Sequence, residues 1–322
     1  MPGTQGMYYR SVADMNEVIL RGLPRVPRDV DLVVGIPRSG LLAANMIALY
    51  MNRPLTDLKG LRDRRLLGKG KRKMPGEGGD VFSTARKILI VDDCVSQGTE
   101  MRKARAFIQE LGLTDKAVFL TVFSFPEHPD EADIALEIIP RPMCFQWSFL
   151  HTPELKFFAL DIDGLICRDA TKEEDDDGEN YLRFLEHADP LLLPTHPVGW
   201  LVTSRLEKYR EPTEAWLKKH GVEYGELIML DVPTQADRER SGVHAEFKAE
   251  AYKRTGAILF VESCPKMAED IAKLADLPTM CLTTNRLIGS PSMEAREITL
   301  LKQRHFVRRV KRGIKKIIPI GK

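Results

Sequence analysis

The chain has 322 residues, enough for two domains, and its 43% hydrophobic and 29% charged residues match an ordinary soluble globular protein. A net charge of +2 gives no bulk reason to expect a nucleic-acid partner. The five cysteines, Cys94, Cys144, Cys167, Cys264 and Cys281, are odd in number and include no CxxC pair, which argues against a disulfide framework or zinc site and for a reducing, cytoplasmic setting.

The N-terminal stretch MPGTQGMYYRSVADMNEV lacks an apolar signal-peptide core, and no apolar run reaches the ~20 residues of a membrane span. "DLVVGIPRSG" (31–40) reads as a strand and loop, "LLAANMIALYM" (41–51) as a helix. Residues 59–86, rich in Gly, Lys and Arg, read as a long mobile loop, which inside a compact domain is often functional. "KILIVDD" is then a strand, "EMRKARAFIQELG" a helix and "KAVFLTVFSF" a strand. This alternation predicts an α/β domain with a parallel sheet over 1–150.

Near 150 the pattern restarts. "LKFFALDIDG" (155–164) is a strand ending in acids, and "KEEDDDGEN" (172–180) a solvated loop. "PVGWLVTSR" (197–205) is a strand ending in a hydroxyl pair, "EPTEAWLKKHG" (211–221) a helix closed by glycine, and "ELIML" (226–230) and "GAILFVES" (256–263) are further strands. A second α/β domain over 151–290 follows. The remaining 291–322 form a tail, in which 302–322 carry nine Lys/Arg and no acid. Phe306, Val310, Ile314 and Ile317 recur there at helical spacing, the pattern of a basic amphipathic helix that lies on an anionic membrane surface.

Asp92 and Asp93 end an apolar strand, where ligands of open α/β sheets bind. The loop Cys94–Thr99 leads into a helix and offers backbone N–H groups and hydroxyls to a phosphate. Acids that face hydroxyls beside a loop that grips phosphate suit a sugar phosphate. "ILIVDDCVSQGT" resembles the ribose-phosphate signature of type I phosphoribosyltransferases, which use 5-phosphoribosyl-1-pyrophosphate (PRPP). The resemblance implies that Asp92 and Asp93 bind the ribose hydroxyls and that Ser96, Gln97, Gly98 and Thr99 bind the 5-phosphate. "VVGIPRSG" resembles the family's pyrophosphate loop, which places Gly35, Pro37, Arg38, Ser39 and Gly40 around the diphosphate. The segment 59–86 matches the flexible catalytic loop, and Mg2+ would bridge diphosphate and ribose oxygens. Gln97 and Glu100 depart from the family: many members carry Thr at the first, and the second places a charge beside the phosphate.

In "FFALDIDGLI", Asp161 and Asp163 follow a second apolar strand. A nucleophilic carboxylate attacking a phosphate needs a metal to reduce repulsion and an acid to protonate the leaving oxygen. This resembles the first motif of haloacid-dehalogenase-type phosphatases. The resemblance implies Asp161 as nucleophile, Asp163 as general acid, Thr203 (less so Ser204) as the phosphoryl-holding hydroxyl, and Lys248 (or Lys253) as the countering cation. Asp161, Asp163 and Glu262 would hold the metal, with Glu262 standing where the family usually has aspartate. The stretch 168–196 is too short for a large cap.

Together the resemblances imply a bifunctional enzyme. It would transfer 5-phosphoribose from PRPP to an acceptor and then remove the 5-phosphate. A lipid-linked bacterial surface glycan is the expected acceptor, with the protein peripheral at the inner membrane through 302–322. A nucleobase acceptor, with Phe145 and Trp147 as stacking partners, and a non-catalytic PRPP-sensing module are the alternatives.

Overall fold

The computed structural model describes residues 7–69, 80–127, 130–233 and 243–289. The chain divides into two units, one over Tyr8–Trp147 and the other over the described residues from Ser148 onward. The basic segment 302–322 lies outside the described residues, as do 70–79 of the expected loop. Among the described residues, no helix is long and apolar enough to cross a membrane.

In the first unit, strands β1 (Tyr8–Arg10) to β7 (Met143–Phe145) include a five-stranded sheet in the order β3 (Leu55–Asp57), β2 (Val30–Gly35), β4 (Lys87–Val95), β5 (Ala117–Ser124), β6 (Ile134–Ile138). Every pairing in it is parallel. The central strands are buried on both faces, so they read as unbroken apolar runs. Val33, Leu89 and Val91 pack under α1 (Val12–Gly22) and α2 (Gly40–Met51), while Leu32, Ile88 and Ile90 pack under α5 (Thr99–Glu110). This alternation is the period of two expected of a strand. The segment expected to be a loop contains two short helices, α3 (Leu58–Asp63) and α4 (Val81–Thr84). Asp57 and Asp80 cap them by accepting from the Gly60 and Phe82 amides.

The chain runs from β2 outward to β3, then returns to β4 on β2's other side. That reversal opens a crevice between the carboxyl ends of β2 and β4. β4 pairs with β2 only as far as Val91 but with β5 as far as Val95. Asp92 and Asp93 therefore lie within β4, on a stretch that has outrun one neighbour and walls the crevice.

The second unit has a six-stranded sheet in the order β10 (Tyr224–Leu230), β9 (Val198–Leu206), β8 (Phe158–Leu160), β11 (Leu259–Glu262), β12 (Thr279–Cys281), β13 (Arg286–Ile288). Among the described residues of this sheet only β12 and β13 pair antiparallel. β8 is shorter than the sequence pattern suggests, because Pro153–Phe157 forms a 3-10 helix. Helices α6 (Glu179–His187) and α7 (Arg210–Lys219) pack on each other, as do α8 (Val243–Thr255) and α9 (Pro265–Ala275). α8 and α9 bury Ala249, Tyr252 and Ile271 against Ala159, Val202 and Phe260 of the sheet. Again the chain starts in the middle, moves to one side and returns, so the reversal falls between β8 and β11. The fold class, mostly parallel sheets flanked by helices in both units, is the one the sequence pattern predicts.

Candidate functional sites

The first crevice is a cavity of about 480 Å³. Ile36–Ser39 line one side, and Asp92–Met101 line the other. α2 begins after Ser39 and α5 after Gly98, and neither preceding residue makes a side-chain capping bond. The first N–H groups of a helix lack intrahelical partners and carry the positive end of its dipole. Two helix ends meet at one cavity, with Arg38 exposed at its margin, although at α2 the Leu41 and Leu42 amides donate to the Arg38 and Ser39 carbonyls at 3.2 and 2.9 Å. Ser96, Gln97 and Thr99 are exposed around the turn, and Gly98 takes a φ of 74°. At that φ a side chain would be strained, and a Cβ would also lie 2.5 Å from the Glu131 carboxylate.

Asp92 and Asp93 are buried against the same cavity. Asp92 Oδ1 accepts from the Asp93 amide at 3.0 Å. Burial, then the Asp93 charge beside it, pushes the Asp92 carboxyl up to about 8. The Trp147 indole N–H donates to Asp93 Oδ2 at 2.8 Å. Gly40 has a role that the pyrophosphate-loop resemblance does not suggest. A Cβ there would lie 2.8 Å from Asp92 Oδ1 and 2.9 Å from the Val91 carbonyl. Its bareness thus admits the acid wall as well as any ligand.

Three further contacts brace the turn, and sequence reasoning missed all of them. Arg102 Nη2 donates to the Gln97 carbonyl at 2.9 Å, and Arg102 also pairs with Glu131. Arg141 Nη2 donates to Ser96 Oγ at 3.1 Å, its guanidinium lying 3.9 Å from the Phe125 ring centroid. Arg102 is legible as the residue one turn into α5; Glu131 and Arg141 carry no spacing signal. Glu100 pairs with Lys103 at 2.7 Å on the exposed first turn of α5. Phe145 and Trp147 do not line the cavity; they stack on each other with centroids 4.6 Å apart.

The second crevice is a cavity of about 400 Å³ with Asp161, Asp163, Asp169, Ser204, Lys248 and Glu262 in its wall. Lys248 Nζ lies 2.7 Å from Asp161 Oδ2 and 2.7 Å from Glu262 Oε2, and Lys248 is only 4% exposed. Burial works against the Lys248 charge, but the two carboxylates outweigh it and raise its pKa. Burial pushes Asp161 above the usual carboxylate range, against the pull of Lys248. Lys253 is exposed, so of the two lysines weighed from sequence only Lys248 reaches the site.

Thr203 is fully buried and turned inward, donating to Asp163 Oδ2 at 3.4 Å; Ser204 lines the cavity instead, and its Oγ has no partner among the described residues. Asp163 is held by Arg205, with Nη2 at 2.7 Å from Oδ1 and Nε at 3.0 Å from Oδ2. Burial would raise the Asp163 pKa, but the Arg205 charge and hydrogen bonds override it and hold the carboxyl below its usual range. A carboxylate so held is poorly suited to donate a proton as a general acid.

The side chains expected to hold the metal, Asp161, Asp163 and Glu262, each have a cationic partner in the protein. Asp163 is committed to Arg205, Asp161 and Glu262 share the Lys248 ammonium, and Glu262 Oε1 accepts from the Ser263 and Cys264 amides. Among the described residues, no group of three or more His, Cys, Asp or Glu is placed to hold a metal ion. Arg205 was visible in "LVTSR", but its neighbours in sequence give no hint that it reaches back to Asp163.

No family model matches the chain. A curated relative, the transcriptional regulator GfcR of Methanococcoides burtonii, is 31% identical over 108 residues, which are 33% of this chain and 51% of that protein. The chain thus spans about half the length of the curated relative it matches. Among solved structures, a purine phosphoribosyltransferase from Pyrococcus horikoshii is similar at a TM-score of 0.33 and 15% identity, over 44% of this chain and 94% of that one. A xanthine-guanine-hypoxanthine phosphoribosyltransferase from Helicobacter pylori is similar at a TM-score of 0.33 and 16% identity, over 44% and 92%. A hypoxanthine phosphoribosyltransferase from Staphylococcus aureus follows at a TM-score of 0.27 and 14% identity, over 40% and 76%.

Proposed function

We propose that the Tyr8–Trp147 unit binds PRPP and transfers its 5-phosphoribosyl group to an acceptor, releasing pyrophosphate. One observation carries this reading: two helix N-termini without side-chain caps and two adjacent buried carboxylates share one cavity. PRPP is a ligand with anionic groups at both ends and a diol between them. The α2 end with Arg38 and Ser39 suits the diphosphate. The α5 end with Ser96–Thr99 suits the 5-phosphate, and Asp92 and Asp93 suit the ribose hydroxyls. Magnesium, when bound with the diphosphate, would offset the charge that the acids and phosphates bring together.

The acceptor in this reading is a glycan rather than a nucleobase. The aromatic pair that would stack on a base is stacked on itself, and its indole N–H is bonded to Asp93. The lipid-linked form of that glycan, and docking through 302–322, follow from the sequence pattern alone. In the second unit, Asp161, Lys248 and Ser204 face one cavity and support a phosphomonoester as its ligand. That is the group the transferred ribose would still carry. Asp163 has no part as proton donor in this reading. A binding-only reading, in which PRPP is sensed and not turned over, draws on the relative named as a transcriptional regulator.

Mass spectrometry of the full chain with PRPP, magnesium and candidate glycans and nucleobases tests these readings. Acceptor-dependent pyrophosphate release that is lost in Asp92→Asn/Asp93→Asn supports transfer. PRPP binding without turnover favours the sensing reading, and absence of PRPP binding overturns both. Accumulation of a phosphorylated product in Asp161→Asn alone supports dephosphorylation in the second unit.

A further inference from the structure

The two acids of the first cavity are oriented by different means. Asp92 is held by its neighbour's main chain, through the 3.0 Å bond from the Asp93 amide. Asp93 is held by a remote side chain, the Trp147 indole, 54 residues away. That indole has little freedom of its own. Its ring stacks on Phe145 at 4.6 Å and 23°, and on Phe123 at 6.2 Å and 25°. Phe123 is fully buried on β5, and Phe145 ends β7, so the stack is anchored in two sheets of one unit. The hydrogen bond fixes one oxygen of the carboxylate. The Asp92 carboxyl is also within side-chain hydrogen-bond reach of Asp93.

The nature of the donor matters as well as its position. An indole N–H donates without carrying charge and accepts nothing in return. It orients Asp93 and leaves its negative charge in place. An Arg or Lys at the same point would neutralise the carboxylate and compete with a sugar hydroxyl for it, as Arg205 does at Asp163.

We propose that Trp147 is a positioning residue for the ribose site: its N–H holds Asp93 Oδ2 so that Oδ1 is presented to a hydroxyl of the phosphoribosyl ligand. The inference rests on the PRPP reading above and assigns the aromatic pair a different task from base stacking. Trp147 is a support for the acid that would touch the ligand, and it does not touch the ligand itself.

The test uses the full-length chain with PRPP and magnesium. Trp147→Phe keeps an aromatic ring in the stack and removes only the donor. The expected result is a KM (or Kd) for PRPP raised about tenfold, with kcat within about threefold, because the lost contact orients a group that grips the bound ligand throughout. A purely structural role predicts a lowered melting temperature with unchanged PRPP affinity, and that result overturns the inference. If the variant does not fold, the wild-type chain answers the question. Trp147, Trp200 and Trp216 are the only tryptophans, so Trp200→Phe and Trp216→Phe assign the three indole N–H resonances. The Trp147 resonance should shift on saturation with PRPP; an unmoved resonance in a chain that binds PRPP overturns the positioning role alone. Failure of the wild-type chain to bind PRPP overturns the function proposed above instead.

Discussion

The two cavities occupy equivalent places, each at the point where its sheet's strand order reverses, yet their charges are arranged in opposite ways. In the first, Asp92 and Asp93 have an amide, an indole and each other as partners, with no cation among the described residues paired to them, and the positive potential comes from helix ends at the cavity. In the second, Asp161, Glu262 and Asp163 each pair with a cation of the protein, Lys248 or Arg205. The first site is therefore electrostatically incomplete, and a ligand with its metal would complete it. The second is largely complete, and its acids also hold the fold together. Substituting a charged residue should thus have opposite effects on stability in the two units.

The largest effect is expected at Lys248. In Lys248→Met, Asp161 and Glu262 would face each other buried, at 5% and 2% exposure, without a counter-charge. Loss of one partner from such a network costs about 3–5 kcal/mol. Thermal unfolding followed through Trp200 and Trp216, both in the second unit, should show the loss, while the first unit's melting stays put. A shift of less than a degree or two would mean that the second cavity is as loosely held as the first.

Asp92→Asn should move stability the other way. The folded-state pKa of about 8 lies above the ordinary value of 3.8. Between those values the folded chain binds a proton that the unfolded chain has released. Stability of the first unit therefore falls as pH rises from about 4 toward 8, by at most roughly 1.4 kcal/mol per pH unit, and is level above that. The variant should lack this decline and be the more stable chain at pH 8, while losing PRPP binding. Denaturant unfolding at pH 5, 6.5 and 8 checks it. Parallel pH profiles for the two chains would show that burial and the neighbouring acid do not raise the Asp92 carboxyl.

Gly40→Ala should have an intermediate effect. The added methyl would press on Asp92 and on the Val91 carbonyl, and main chain cannot swing aside. Overpacking of this kind costs about 1–3 kcal/mol. A loss of PRPP affinity larger than the loss of stability would tie the glycine to the placement of Asp92. Proportionate losses would make it a packing residue only.

The sequence carried the sheets and the acids because those signals are local. Buried parallel strands are continuous apolar runs, and a doubled acid at the end of "KILIV" stands out against them. Partnership was not legible, because it is set by chain reversals that bring distant residues together. Arg205 reaches Asp163 across 42 residues, Trp147 reaches Asp93 across 54, and Lys248 reaches Asp161 across 87. Thr203 and Ser204 show the limit most finely: Ser204 lines the cavity, while the buried Thr203 hydroxyl bonds to Asp163 in its wall, and neither placement is written in the pair itself. The helices inside 59–86 were hidden because each is under two turns long, too short for a hydrophobic period to register.

The smallest effect is expected at Glu100, whose charge beside the phosphate turn departs from the phosphoribosyltransferase pattern. It lines the first cavity, but its carboxylate is 59% exposed and lies 2.7 Å from Lys103 Nζ. Exposed pairs of this kind contribute about 0.3–0.5 kcal/mol, so Glu100→Gln should leave the melting temperature almost unchanged. Its effect on PRPP separates two views of the turn. If Lys103 screens the carboxylate, affinity rises by no more than about twofold, the departure is tolerated, and the first cavity works as a transferase site. An affinity gain of tenfold or more would mean that Glu100 repels the 5-phosphate in the native chain. The first cavity would then carry a negative charge set against the ligand it is expected to hold, and the sensing reading would gain over transfer.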